Sequence, residues 1–185
     1  MMNKVRNAFL FFIFAFSISV ELEASQIDFS WSTPENFVYK EDSGDEKRYI
    51  VWFYSIENTI DKTILVPIEA FLNTDTQKSY EDKYIPDIVS KVSKGNEEYM
   101  SAKDIKGEFG PRVTKKGVAV FEDVDPYAKK INIFATGLSH FFFWRWRMVD
   151  YSYKITYKKS GNKWILVEHG FNKDSSHRNY ADKFK

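Results

Sequence analysis

Three histidines, His140, His169 and His177, are the residues best suited to acid–base or metal chemistry near neutral pH. None has a second metal ligand at helical or strand spacing, and a metal site needs a convergent set. His169 stands beside Glu168, but neighbours on a strand point to opposite faces. Ser139-His140 cannot pair as a nucleophile and base through adjacency alone, and no Gly-x-Ser-x-Gly turn is present. The acids Glu41-Asp42 and Glu122-Asp123 with Asp125 are clustered as acidic turns usually are; the second group also has enough oxygens for a calcium loop, without calcium-loop spacing. There is no cysteine, which removes thiolate zinc sites, iron–sulfur clusters and Cys nucleophiles. No phosphate loop or Gly-rich dinucleotide turn occurs. The residues therefore give no catalytic set, no metal site and no cofactor. A small His/carboxylate hydrolase site stays as the alternative, and its mark would be a cleft where His140 or His169 meets an acid.

Recognition chemistry is concentrated instead in HFFFWRWRMVD, residues 140–150. Trp and Arg are the side chains that most often anchor interfaces. Read in period two, Phe142, Trp144, Trp146 and Met148 share one face, and Phe141, Phe143, Arg145 and Arg147 the other. The next segment continues its apolar set on odd numbers, Tyr151, Tyr153, Ile155 and Tyr157. Parity thus switches near Val149-Asp150, where a bulge or bend would restore it. Three readings fit. The stretch is a bulged core strand with Arg stems along the sheet, an aromatic–basic finger for a partner, or a contact with an anionic membrane surface. The candidate binding residues are Phe141, Phe143, Trp144, Arg145, Trp146 and Arg147.

The elements that would position this stretch read as strands. Ile27, Phe29 and Trp31 alternate up to Pro34. YIVWFYSIEN (49–58) is apolar on both faces at its start, as in a covered or central strand. TILVPIEAFLNTD (63–75) follows as its expected hairpin partner, with Pro67 marking an edge or a bulge. Ile85, Ile88, Val89 and Val92 have helical spacing between Pro86 and Gly95, which predicts one short helix near 85–93. KKGVAVFEDVDP (115–126) and KKINIFATG (129–137) are expected to pair across the Asp-Pro turn, and 149–159 with 162–171 across Ser160-Gly161. About seven strands at this spacing predict a mainly all-β fold, an antiparallel immunoglobulin-like β-sandwich, with a closed barrel as the alternative.

Lys4 and Arg6, the 13-residue apolar run 8–20, and Ala24 before Ser25 follow the order of a secretory signal peptide. The run is short for a membrane span of about 20 residues; an uncleaved N-terminal anchor is the alternative. The expected layout is a signal peptide over 1–24, a β-sandwich domain over 25–172 and a polar tail over 173–185. Cleavage would remove Lys4, Arg6, Glu21 and Glu23, so the net charge of +1 persists. That charge gives no footprint for nucleic acid. An exported domain without disulfides must be held by its core alone.

GPRVTKKGVAVFEDVDPYAKKINIFATGLS (110–139) has a basic turn, a Gly-Val-Ala-Val-Phe strand, an acidic Asp-Pro turn and a strand ending in Thr-Gly-Leu-Ser. This segment resembles uncharacterised exported bacterial domains of immunoglobulin-like sandwich fold. The resemblance implies a fold and an envelope location, and carries no activity. The function expected is a non-enzymatic exported binding domain whose partner is a protein, a glycan or a membrane surface; a structural envelope subunit is a further alternative.

Overall fold

The computed structural model describes residues 26–40, 44, 46–93, 99–138, 140–143, 147–150 and 152–172, with backbone alone for 140–143, 147–150 and 172. The expected signal peptide, the acidic turn at 41–43, Ser139, and the tail with His177 lie outside them. The chain is mainly β, built as several antiparallel sheets.

The strands run in the order β1 (Ile27–Trp31), β2 (Glu35–Lys40), β3 (Glu46–Asn58), β4 (Ile64–Val66), β5 (Glu69–Thr74) and β6 (Ser79–Glu81). Helix α1 (Pro86–Val92), β7 (Met100–Ser101), helix α2 (Ala102–Ile105), β8 (Gly107–Phe109), β9 (Thr114–Glu122) and β10 (Lys130–Thr136) follow. The chain then forms β11 (His140–Phe143), β12 (Arg147–Asp150), β13 (Ser152–Ser160) and β14 (Lys163–Asn172). The first sheet has β3 at its heart, with β1 and β2 along one edge and β9 then β7 along the other. The second sheet has the order β14-β13-β10-β5-β6.

Their inner faces close on one core. Ile50, Trp52, Tyr54, Ile56, Ala119 and Phe121 come from the first sheet; Ala70, Leu72, Ile131, Ile133, Ile155 and Tyr157 from the second. The two-faced character of β3 is also explained. Tyr49 and Val51 leave its outer face and are covered by Ile88 and Val92 of α1, together with Val118 and Val120 of β9. α1 thus occurs where the spacing predicted it. α2 was not foreseen: it is one turn long, too short for a period, and is set by Ser101, whose Oγ accepts from Asp104 N.

Two pairings differ from expectation. Residues 49–58 and 63–75 do not form a hairpin: β3 pairs with β1, β2 and β9, whereas β5 pairs with β10 and β6 in the opposite sheet. Asn58 turns the chain away. Its buried amide donates to the carbonyls of Lys62, Phe109 and Gly110, and its oxygen accepts from Ile60 N. Pro67 then splits the expected strand into β4, which pairs with β8, and β5. Likewise β9 and β10 belong to opposite sheets, so the Asp-Pro turn is a crossover. Each strand has its own apolar face to bury, and the two faces meet across the core.

The Phe/Trp/Arg stretch is not one bulged strand. β11 and β12 form a hairpin of their own, with His140 opposite Asp150 and Phe143 opposite Arg147. Among the described residues neither strand pairs with the two main sheets. The two connections between the second sheet and the hairpin differ in length. Ala135 pairs with Tyr153 and His140 with Asp150, so five steps on one side meet three on the other. Gly137 absorbs the excess at φ +75°, where a side chain would strike the carbonyl of Pro67. Leu138 re-enters the core with the opposite parity to Ile131, Ile133 and Ala135.

Candidate functional site

An aromatic rim stands between the first strand of one sheet and the last of the other. Trp31 ends β1, Tyr153 is the second residue of β13, and His169 and Phe171 lie near the end of β14. The indole of Trp31 is 5.1 Å from the Tyr153 ring and 5.2 Å from the His169 imidazole. Phe171 meets Tyr153 edge-on at 5.0 Å, the T-shaped arrangement that ring quadrupoles favour. Tyr153 Oη and His169 Nδ1 share a hydrogen bond of 2.7 Å. Partial burial raises the Tyr153 phenol pKa above its usual value, so the phenol stays protonated.

The rim rests on fixed rings. Phe29 lies 5.8 Å from Tyr153 and 6.0 Å from the buried Trp52. The Ser32 carbonyl accepts from both Trp52 Nε1 and Tyr157 Oη, tying the loop after β1 to each sheet. Burial pushes the Tyr157 phenol up to about 12. Outward from this anchored base, the rim opens to solvent. Phe171, Leu166 and Val167 are 54 %, 45 % and 58 % exposed on β14, an edge strand.

The hairpin that carries the sequence candidates is rooted beside the rim, since Asp150 ends β12 and Ser152 starts β13. Phe141, Phe143 and Arg147 lie on its two strands. Trp144, Arg145 and Trp146, between them, lie outside the described residues. Trp31, Tyr153, His169 and Phe171 were not singled out as a site in the sequence, because they come from three strands of two sheets and no linear spacing connects them.

A second concavity, of about 250 Å³, lies between β5, β6 and α2 and is lined by Glu69, Glu81, Asp82, Tyr84, Ser101 and Lys106 among others. Asp82 accepts from Val120 N at 2.8 Å, which fastens the end of β6 to the other sheet. Burial raises the Asp82 carboxyl pKa to about 6, against the opposing pull of that N–H and of Lys106. Lys106 pairs with Glu69 at 3.0 Å. A perturbed carboxyl in a cleft is the kind of group that serves acid–base chemistry. Here no described histidine joins it: the one described imidazole, His169, is bonded to Tyr153 across the molecule. The acids of the 122–125 turn are spread over separate contacts, Glu122 with Lys83 and Lys47 and Asp125 with Lys78.

Comparison with protein-family models, with curated proteins and with solved structures gives no match to this chain.

Proposed function

We propose that this chain is an exported, non-enzymatic binding domain of immunoglobulin-like sandwich type that holds a protein or glycan partner against an aromatic and basic surface. The observation that carries the reading is the β11–β12 hairpin, which among the described residues pairs with neither main sheet and bears Phe141, Phe143 and Arg147 on its strands. Trp144, Arg145 and Trp146 lie between those strands in sequence. An apolar patch on a surface needs a cover, because monomers seldom leave large patches bare. The rim of Trp31, Tyr153, His169 and Phe171 extends the same surface at the hairpin's root. Preorganised rings lose little entropy on contact, and the cationic guanidinium groups add directional donors.

The two facing sheets support the immunoglobulin-like reading, and the apolar run 8–20 before Ala24 supports export. The test is partition of the purified chain onto isolated envelope cell-wall material, with Trp144→Ala/Trp146→Ala as the comparison. Loss of at least tenfold in binding, with an unchanged circular dichroism spectrum, is the expected result. Equal partition of both proteins would overturn the reading.

A further inference from the structure

The end of the second sheet opposite the hairpin carries a row of lysines that outnumbers its acids. Lys130 opens β10 and lies directly across from Lys158 on β13. Lys158 is in turn paired with Ile165 of β14, and Ser160 with Lys163. Like charges directly opposite on neighbouring strands repel, and the acids near this end, Glu168 and Asp75, are fewer than the lysines. Lys129, Lys130, Lys158 and Lys163 are all exposed, and none has a carboxylate partner among the described residues. Lys159 joins them, its Nζ donating to Pro126 O and lying 5.6 Å from the Trp164 ring centre. Asp125 pairs with Lys78, Glu168 pairs with Lys154 and also feels the charge of Lys130, and one oxygen of Asp75 accepts from the Lys129 backbone N–H. Two apolar groups stand among the charges. Tyr127, next to Pro126, is 83 % exposed, and Ile165 is 54 % exposed beside Lys158.

A cationic field with a bare tyrosine and a bare isoleucine complements a negatively charged bilayer. Lysines meet the anionic headgroups while a phenol and an aliphatic chain enter the interface. We propose that this end of the domain docks on an anionic lipid surface through Lys129, Lys130, Lys158, Lys159 and Lys163, with Tyr127 and Ile165 dipping into the headgroup layer. β10 runs from Lys130 to Thr136, and the hairpin begins at His140. Seven strand residues at about 3.3 Å each place the hairpin's root on the order of 20 Å from the lysine row. Docking by the lysines therefore leaves the aromatic hairpin facing away from the bilayer, free for a partner. The lipid contact uses none of the partner-binding residues, so it stands or falls separately from the proposed function.

The test is co-sedimentation of the full chain with vesicles of phosphatidylcholine alone, or of phosphatidylcholine with 30 % phosphatidylglycerol. The neutral vesicles report whatever the apolar residues 8–20 contribute. Lys130→Glu is the variant of choice, because it creates an opposite-charge pair with Lys158 and so should not harm folding. Binding is expected to be stronger on the anionic vesicles and to be lost in 0.5 M salt. Lys130→Glu should weaken the anionic-vesicle partition about thirtyfold, since each surface charge contributes about 1 kcal/mol, and leave neutral-vesicle binding alone. Tyr127→Ser should also weaken the anionic-vesicle partition at low salt. Equal binding to both vesicle types, an unaffected Lys130→Glu variant, or capture by a soluble polyanion such as heparin without vesicle binding would each overturn the proposal.

Discussion

Trp31 and His169 meet at 5.2 Å with their rings inclined by 65°, and through them the first strand of one sheet touches the last strand of the other. The pair closes one side of the molecule, where two sheet edges would otherwise part. Because both residues also reach solvent, the same contact is part of a surface and part of the fold.

Replacing Trp31 by Ala is therefore expected to cost about 2 kcal/mol, below the ~3–5 kcal/mol of a wholly buried tryptophan. His169→Ala removes one ring contact and the bond to Tyr153, and should cost about 1 kcal/mol. Urea unfolding followed by circular dichroism measures both. A Trp31→Ala variant as stable as the parent would show that the rim does not hold the two edges together.

Tyr54 and Gly117 face each other across β3 and β9, and a side chain on Gly117 would overlap the Tyr54 ring. Gly117→Ala is expected to destabilise by about 1–3 kcal/mol through overpacking. Among the described residues the same tyrosine has a buried hydroxyl without a hydrogen-bond partner, and burial, with the nearby Asp82 charge, raises its pKa. Tyr54→Phe discards that unsatisfied group and should stabilise by about 1 kcal/mol. Thermal melts of the two variants should thus move in opposite directions.

Asp82 gives a pH dependence of definite sign. The folded carboxyl holds its proton up to about pH 6, whereas its ordinary value is 3.8. The native state binds more protons in that window, so stability from this group is complete below the unfolded value and is lost as pH rises through about 6. The full shift corresponds to on the order of 2–3 kcal/mol. Asp82→Asn keeps an oxygen for Val120 N–H and cannot ionise. Its urea midpoint should exceed that of the parent at pH 8 and match it near pH 4. A variant weaker than the parent at pH 8 would mean that the charged carboxylate is the stabilising form.

Export leads to a mass. If the apolar run 8–20 is a leader, the chain recovered from a bacterial envelope fraction begins at Ser25. Intact-mass spectrometry reads this directly. A full-length mass in the membrane fraction would identify an uncleaved anchor instead.

The strands themselves were legible from local pattern. Ile50, Trp52, Tyr54 and Ile56 alternate inward as their period-two spacing required, and Pro86 with Ile88 and Val92 marked α1. The β13–β14 hairpin was legible too, because its turn residues lie between two long alternating runs. Which strands share a sheet was not. The assignment of β3 and β5 to opposite sheets depends on Asn58 bonding to Phe109 and Gly110, about fifty residues away in sequence, which no periodicity reports. The same limit applies to the rim. Trp31 and His169 are separated by most of the domain, and only sheet stacking brings them together. The β11–β12 hairpin was not legible, because residues 140–150 contain no Gly, Pro or Asn to mark a turn.

Solvent accessibility of Trp144 and Trp146 tests the central claim most directly. The chain has five tryptophans, and labelling with 5-fluorotryptophan gives each a ¹⁹F resonance that Trp→Phe substitutions assign. A contact surface requires the Trp144 and Trp146 signals to show the full solvent-isotope shift between H₂O and D₂O, while buried Trp52 and Trp164 show little. If the Trp144 and Trp146 resonances are as insensitive to D₂O as that of Trp52, the hairpin's tryptophans are buried within this chain, and the binding-surface account is wrong.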